Sequence, residues 1–98
     1  MRHPAIYIMA SGTNGINSTL YIGVTSNLVQ RAWQHRHGVC EGFARRYRCT
    51  NLVYFEQYED MAAAIAREKH LKTFTRARKL ALITAANPRW RDLYAELV

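Results

Sequence analysis

Two short apolar runs rich in strand-forming residues lie within the first 24 residues, and they restrict what the rest of the chain can build. The runs cover residues 5–9 and 19–24, and Ser-Gly and Asn-Gly pairs within 11–15 separate them. Such pairs are typical of turns, so the pattern predicts a β-hairpin with a long loop. A third run at 52–55 predicts one further strand.

Helical patterns account for most of the remaining sequence. Capping residues and apolar spacing predict four helices. Three of them cover 28–37, 59–73 and 76–86, and the last begins with Asn87 as N-cap followed by a proline. Residues 39–50 are predicted to form a loop. The order β-β-α-β-α-α-α predicts an α+β domain in which helices flank a small, three-stranded antiparallel sheet.

Length and composition indicate one globular domain, which we place at residues 1–98. The chain is 49% hydrophobic and 21% charged, which argues against an intrinsically disordered chain. It contains no apolar run near the roughly 20 residues of a membrane span, and its N-terminal apolar stretch is too short for a secretory signal. Cys40 and Cys49 are too few for a disulfide scaffold. We therefore expect a cytoplasmic protein with reduced cysteines and no membrane partner.

Positive charge is abundant and clustered. Fourteen Lys and Arg residues against seven Asp and Glu residues give a net charge of +7. Most of this charge lies in two stretches, 28–48 and 67–79, and most of the basic residues are arginines. Arginine binds phosphate through a planar pair of donors, and clustered charge of this kind is typical of a surface that binds a polyanion. We expect a nucleic acid partner and favour DNA over RNA.

One acidic residue falls on a helix face that should be apolar. Met61, Ile65 and Glu68 follow helical spacing in the second predicted helix, and Leu71 continues the same stripe. An unpaired buried carboxylate is costly, so Glu68 needs a cation, a metal ion or a water-filled cleft. The alternative is a glutamate at the edge of the core that pairs with a surface lysine or arginine.

The first predicted helix shows a similar anomaly. Leu28 and Ala32 define its apolar face, and Arg31 and His35 lie on that face one turn apart. A positive donor beside a titratable imidazole is suited to site chemistry. The alternative is an arginine whose stem alone is buried, next to a core histidine with its hydrogen bonds satisfied.

The hairpin strands carry Tyr7 and Tyr21, which taken alone predict core aromatic residues with one hydrated hydroxyl group. Gly23, near the end of the second strand, predicts either a bulge or a close approach of another group to the backbone.

These residues form an ordered set along the chain: Ala5-Ile6-Tyr7, Tyr21-Ile22-Gly23, Arg31, His35, Glu68 and Asn87. The set resembles the GIY-YIG nuclease superfamily, and the segment from Asn87 to Tyr94 resembles its stand-alone, single-domain branch. Two departures stand out. Ala5 replaces the first glycine of the family motif, and Val24 stands where some relatives have a lysine.

The resemblance implies a metal-dependent endonuclease that hydrolyses phosphodiester bonds. It implies that Glu68 holds Mg²⁺, with Mn²⁺ as a possible substitute, and that Arg31 stabilises the transition state. A single acidic ligand suits Mg²⁺, which keeps several of its waters. Because no base-reading helix module is present, we expect little sequence specificity.

The resemblance also implies a group that activates water, either Tyr7 or His35, with Tyr21 assisting. We favour Tyr7, with His35 hydrogen-bonded to it or to the water. Gly23 is a supporting residue. The resemblance implies a supporting role for Asn87 as well, although its position before a proline also suits a helix N-cap.

The predicted loop interleaves aromatic rings with arginines. Bases can stack on the rings while guanidinium groups bind phosphates, which suits unpaired nucleic acid. The alternative is a surface loop whose rings are tucked into the core. The nucleic-acid-binding residues we expect are Phe43, Arg45, Arg46, Tyr47, Arg48 and Lys72.

Two other functions compete with the nuclease. The main alternative is a non-catalytic, basic nucleic-acid-binding module, which would gain nothing from a carboxylate beside phosphate. A zinc site made by His35, His37, Cys40 and Cys49 fits no familiar ligand spacing. The C-terminal aromatic helix is better explained by packing on the core, so we expect no obligate protein partner.

Overall fold

The computed structural model describes residues 3–12, 17–39 and 42–98. It confirms the predicted α+β class with a three-stranded antiparallel sheet. No helix in those three ranges is long and apolar enough to cross a membrane. The elements are β1 (Ala5–Ala10), β2 (Leu20–Thr25), α1 (Leu28–Arg36), α2 (Phe43–Arg46), β3 (Asn51–Gln57), α3 (Met61–Lys72), α4 (Arg76–Ala86) and a 3₁₀ helix at Leu93–Glu96.

The strand order is β2-β1-β3, so the first strand of the chain is the central one. Every residue of β1 is buried, because helices cover both faces of the sheet. Successive side chains of a strand point to opposite faces. Ile6 and Ile8 therefore pack in the core beneath α3 and α4, whereas Tyr7 and Met9 pack beneath α1.

The apolar face of α3 differs from the predicted stripe. Ile65 is 38% exposed, so its assignment to the core was wrong. The buried residues are Ala64 and Leu71, two turns apart, and the small Ala64 side chain lets the helix lie against the sheet. Glu68 lies between them, four residues after Ala64 and three residues before Leu71. Asp60 caps the helix by accepting from the Ala63 amide at 2.8 Å.

The predicted loop at 39–50 contains the short helix α2, which was missed. Its single turn is closed by the Arg46 amide, which donates to the Gly42 carbonyl at 3.0 Å. Arg48 then takes a left-handed conformation with φ of 55°, which brings the Cys49 amide 2.8 Å from the Ala44 carbonyl. A turn this short carries no periodic pattern, and the buried Ala44 anchors it through tertiary packing.

The predicted fourth helix is also wrong, because only the 3₁₀ turn forms. Asn87 is not a helix N-cap. It is 3% exposed, and its amide nitrogen donates to the carbonyls of Val53 at 3.0 Å and Arg91 at 2.9 Å. Trp90 has a φ of 53°, which interrupts helical geometry, and it is buried against the core as expected.

The C-terminal segment closes the outer edge of β3. Asn87 binds the Val53 carbonyl, and Asp92 Oδ1 accepts from the Leu52 amide at 3.2 Å. Asp92 also pairs with Arg36 at the end of α1. An open strand edge invites pairing with other chains, so these two side chains protect the sheet while tying α1 to the C-terminus.

A carboxylate on β3 fixes the position of α3. Glu56 accepts from Arg67 Nε at 2.9 Å, from Arg67 Nη2 at 3.1 Å, from Tyr58 at 2.5 Å and from Tyr54. Burial alone raises the pKa of Glu56, but the hydrogen bonds outweigh burial and lower the pKa below its ordinary value. Burial and Glu56 together raise the pKa of Tyr54 to about 12. No pattern in the sequence indicated this network, which holds Arg67, the neighbour of Glu68.

We predict that Asn87→Ala lowers the free energy of unfolding by about 1–3 kcal/mol, because it leaves the buried Val53 carbonyl without its side-chain donor. Urea denaturation monitored by circular dichroism measures the change. Gln57→Ala, at an exposed position at the end of β3, is the control and should change stability by less than about 0.5 kcal/mol. Equal effects for the two variants would contradict this account of Asn87.

Candidate active site

Tyr7 lies directly over Gly23. The two residues face each other across the β1–β2 pairing. A Cβ atom on Gly23 would lie 2.5 Å from Tyr7 Cζ and closer still to the hydroxyl oxygen, a separation that real side chains do not tolerate. Of the two alternatives for Gly23, the close approach is correct. The tyrosine of the first half-motif therefore needs the glycine of the second.

Tyr7, Tyr21 and His35 form one aromatic cluster between the sheet and α1. The Tyr7 hydroxyl is 3.0 Å from His35 Nε2, and the two residues are 1% and 3% exposed. The Tyr21 ring centroid lies 6.2 Å from that of Tyr7 and 5.3 Å from that of His35. Asn27 caps α1 by accepting from the Gln30 amide at 3.2 Å, which fixes where the helix begins and hence where His35 points.

The cluster keeps its imidazole neutral. Burial, and then the positive charge of Arg31, lower the pKa of His35 to about 4. At neutral pH, with the ring proton on Nδ1, the His35 Nε2 atom can accept a hydrogen bond that the Tyr7 hydroxyl donates. Arg31 is partly exposed and forms no ion pair with a described residue. Its charge is therefore available to an anion beside the cluster.

Glu68 lies on the other side of the sheet. Its side chain is 14% exposed, and Lys72 Nζ lies 2.8 Å from its Oε2. The carboxylate is thus shielded from bulk solvent. Its pairing with an exposed lysine matches the alternative given for Glu68 above, a glutamate at the edge of the core that pairs with a surface cation. Helix α3 packs on β1 and β2, on the face opposite α1. The structure therefore groups Tyr7, Tyr21, Arg31 and His35, whereas Glu68 belongs to a separate pair.

A depression at the edge of β2 lies between the aromatic cluster and the Glu68–Lys72 pair, since one residue of each lines it. It has a volume of about 250 Å³ and is lined by both Tyr21 and Lys72. Tyr21 is the partly exposed member of the aromatic cluster. Lys72 is the ion-pair partner of Glu68. A ligand in this depression would meet a phenol from one group and an ammonium from the other.

The donor set suits only certain metals. The described ranges hold no group of three or more His, Cys, Asp or Glu side chains that could bind a metal ion. Of the zinc candidates, His35 is bound to Tyr7, Cys49 is buried with its thiol 3.6 Å from the Thr19 carbonyl, and Cys40 lies outside the described residues. Glu68 is a single carboxylate that already holds a positive charge, which fits a hard cation that keeps most of its waters.

The expected nucleic-acid-binding residues lie on and around α2. Phe43 is 49% exposed and Tyr47 is 44% exposed, with ring centroids 4.7 Å apart, so neither ring is tucked into the core. Arg45, Arg46 and Arg48 are exposed beside them. Lys72 is exposed as well, although it is paired with Glu68. One residue was not selected from the sequence: Lys79, which lines the depression and belongs to the basic stretch 67–79.

The chain belongs to the GIY-YIG family, since residues 3–81 match the family of the GIY-YIG catalytic domain. It is 38% identical over 69 residues to the UPF0213 protein CPE1444 of Clostridium perfringens, covering 70% of this chain and 74% of that protein. It is 36% identical over 67 residues to a UPF0213 protein of Staphylococcus aureus strain Mu3, covering 68% and 82%. No solved structure matches the chain significantly.

Family membership supports a nuclease-type function in general and makes nucleic acid the plausible partner. The names of the two relatives state no activity.

We predict that Gly23→Ala costs about 1–3 kcal/mol of folding free energy, because the added methyl group displaces Tyr7 from its packed position. In a Tyr7→Leu background, where the ring is absent, the same change should cost much less. Chemical denaturation of the four proteins of this double-mutant cycle measures the difference. A cost that is the same in both backgrounds would show that Gly23 is needed for another reason.

We predict that His35 makes the protein less stable in acid. The unfolded chain binds a proton on this residue near pH 6.5, whereas the folded chain binds it only near pH 4. The free energy of unfolding should therefore fall as the pH drops from 6.5 to 4, by up to about 1.4 kcal/mol per pH unit from this group. Urea titrations across this range should show a shallower fall for His35→Gln. His37→Gln, at an exposed position, should retain the wild-type dependence.

Proposed function

We propose that this protein is a metal-dependent endonuclease that hydrolyses phosphodiester bonds in nucleic acid, with DNA favoured and little sequence specificity. The observation that carries the proposal is the buried Tyr7–His35 hydrogen bond, with Tyr21 and Arg31 beside it. This arrangement offers phenols, a neutral imidazole and an available positive charge at one place, which is what attack on a phosphodiester requires. The expected location is the cytoplasm.

Glu68 would hold Mg²⁺, with Mn²⁺ as a possible substitute. When bound, such a cation polarises the phosphate and stabilises the negative charge that develops on the leaving oxygen. Lys72 pairs with the carboxylate otherwise, and it would turn to a phosphate oxygen of the substrate. Its side chain is 55% exposed, which leaves room for this movement.

Arg31 would stabilise the transition state. In the hydrolysis, a bond forms between the water oxygen and phosphorus while the bond from phosphorus to the leaving oxygen breaks. Negative charge builds on the non-bridging oxygens during this exchange. The Arg31 guanidinium, which lies close enough to His35 to lower the pKa of that residue, would donate hydrogen bonds to these oxygens.

Burial shifts the proposed role in water activation from Tyr7 to Tyr21. Tyr7 is 1% exposed and bound to the neutral His35, so this pair stands behind the surface. Tyr21 lines the depression where substrate would lie. When ionised to the phenolate, Tyr21 would accept a hydrogen bond from the attacking water and take its proton, becoming the neutral phenol. Tyr7 and His35 would hold the ring of Tyr21 in place.

A non-catalytic nucleic-acid-binding module is the second candidate. The Glu68–Lys72 ion pair favours it, because the pair satisfies the carboxylate without any metal ion. In that case the basic surface would be the functional part, and the aromatic cluster would serve only to pack α1 on the sheet.

A nuclease assay separates the two candidates. Labelled single-stranded, duplex and branched DNA are incubated with wild-type protein and Mg²⁺, Mn²⁺ or EDTA. We expect cleavage with either metal and none with EDTA. Glu68→Ala and Arg31→Ala should each lose about a hundredfold or more in rate, because each removes a charge that acts in the transition state. Glu68→Ala should still bind DNA.

Matched variants guard against a general effect of lost charge. Glu59→Ala removes an exposed carboxylate just before α3, and Arg89→Ala removes an exposed arginine near the far edge of the sheet. Both should cleave at the wild-type rate. A folded wild-type protein that binds DNA yet cuts no substrate would establish the binding module instead.

A further inference from the structure

A basic groove runs along the outer edge of β2, and it extends beyond the proposed site. It consists of the depression at Tyr21 and a larger, adjoining one of about 450 Å³. The two share Leu20, Phe43 and Lys79 as lining residues. The larger part is lined in addition by residues 17–19 and Arg76. We call this continuous feature the β2 groove.

The cations of the β2 groove come from one side. Lys72 closes α3, and Arg76 and Lys79 lie on the first turn of α4. Arg76 Nη2 donates to the Ser18 carbonyl at 2.5 Å, which ties this wall to the segment that leads into β2. Lys79 forms no ion pair with a described residue. No acidic side chain lines the groove within the described ranges, so its charge suits a polyanion.

An exposed aromatic ring is also part of this surface. Phe43 lines both parts of the β2 groove and is 49% exposed, next to Tyr47. A phenyl ring adds nothing to phosphate binding. It offers a flat face on which a base can stack, and only an unpaired base is free to do so. A duplex would bring its phosphates to this surface and leave the ring unused.

We propose that the β2 groove binds an unpaired stretch of nucleic acid that leads into the proposed active site. A base stacks on Phe43, phosphates bind Lys79 and Arg76, and the strand continues to Tyr21. This inference rests on the proposed function, since it names the form of substrate that the site receives. It predicts that the Phe43 ring makes the affinity higher for single strands than for a duplex. It also predicts that Lys79 and Arg76 make the affinity fall as ionic strength rises.

The test measures binding without cleavage. Fluorescence anisotropy follows a labelled strand of about 12 nucleotides, and the duplex of the same sequence, in buffer with EDTA. Phe43→Ala should weaken binding of the single strand roughly 5- to 100-fold and leave duplex binding unchanged. Lys79→Ala should reduce the slope of log affinity against log salt by about 0.7 for the single strand.

Matched controls lie outside the groove. Trp33→Ala removes a ring on α1 that is 45% exposed, and Arg89→Ala removes an exposed cation beyond α4. Neither should change single-strand affinity or its salt slope. All four substituted positions are partly or wholly exposed, and circular dichroism verifies that each variant is folded.

The outcomes separate this inference from the proposed function. The β2 groove does not select unpaired strands if Phe43→Ala lowers the affinity for single-stranded and duplex DNA equally, or lowers neither affinity. The same conclusion follows if Trp33→Ala lowers the single-strand affinity as much as Phe43→Ala does. Strand-selective binding that needs Phe43 and Lys79 supports the groove even if no cleavage is found with any metal. Cleavage that survives Phe43→Ala on single strands, with unchanged affinity, overturns the groove and leaves the nuclease standing.

Discussion

The contact between Tyr7 and Gly23 is the constraint on which the rest of the structure depends. Tyr7 stands on the central strand, and its ring occupies the space that a side chain at Gly23 would fill. That position brings its hydroxyl to His35 on α1. One ring thus sets the register of the hairpin, the docking of the first helix and the surroundings of the imidazole. The fold and the candidate site therefore share the same atoms.

The site residues predicted from the sequence lie on both faces of a thin sheet. Arg31 and His35 come from the helix on one face, and Glu68 comes from the helix on the other. The two faces meet at the edge strand β2, where Tyr21 and Lys72 line the same depression. The Glu56–Arg67 network fixes α3 one residue from Glu68. Two neighbouring residues of α3 thus form different ion pairs, Arg67 with Glu56 on β3 and Glu68 with Lys72 one turn further along the helix.

Sequence reasoning predicted the parts of this molecule that local rules govern. The strands follow from β-branched and aromatic runs, and α1 and α4 follow from capping residues and helical spacing, with Asn27 and Thr75 as the caps in the structure. It failed where tertiary contacts decide. The turn α2 depends on a buried alanine, Ile65 is exposed because an alanine takes its place, and Asn87 bonds to a distant strand rather than to a helix. In the sequence Lys79 was one charge among many, since only the fold shows that it lines the depressions beside β2.

The last part of the chain matters more than the family boundary implies. The match to the family ends at residue 81, yet Asn87 and Asp92 are the side chains that occupy the hydrogen-bonding groups of Val53 and Leu52. A polypeptide shortened to the matched region would display a bare β3 margin as well as the β2 margin beside the groove. Two open strand edges on one small sheet would permit edge-to-edge pairing of copies into fibrils. The closing segment is thus a safeguard of solubility.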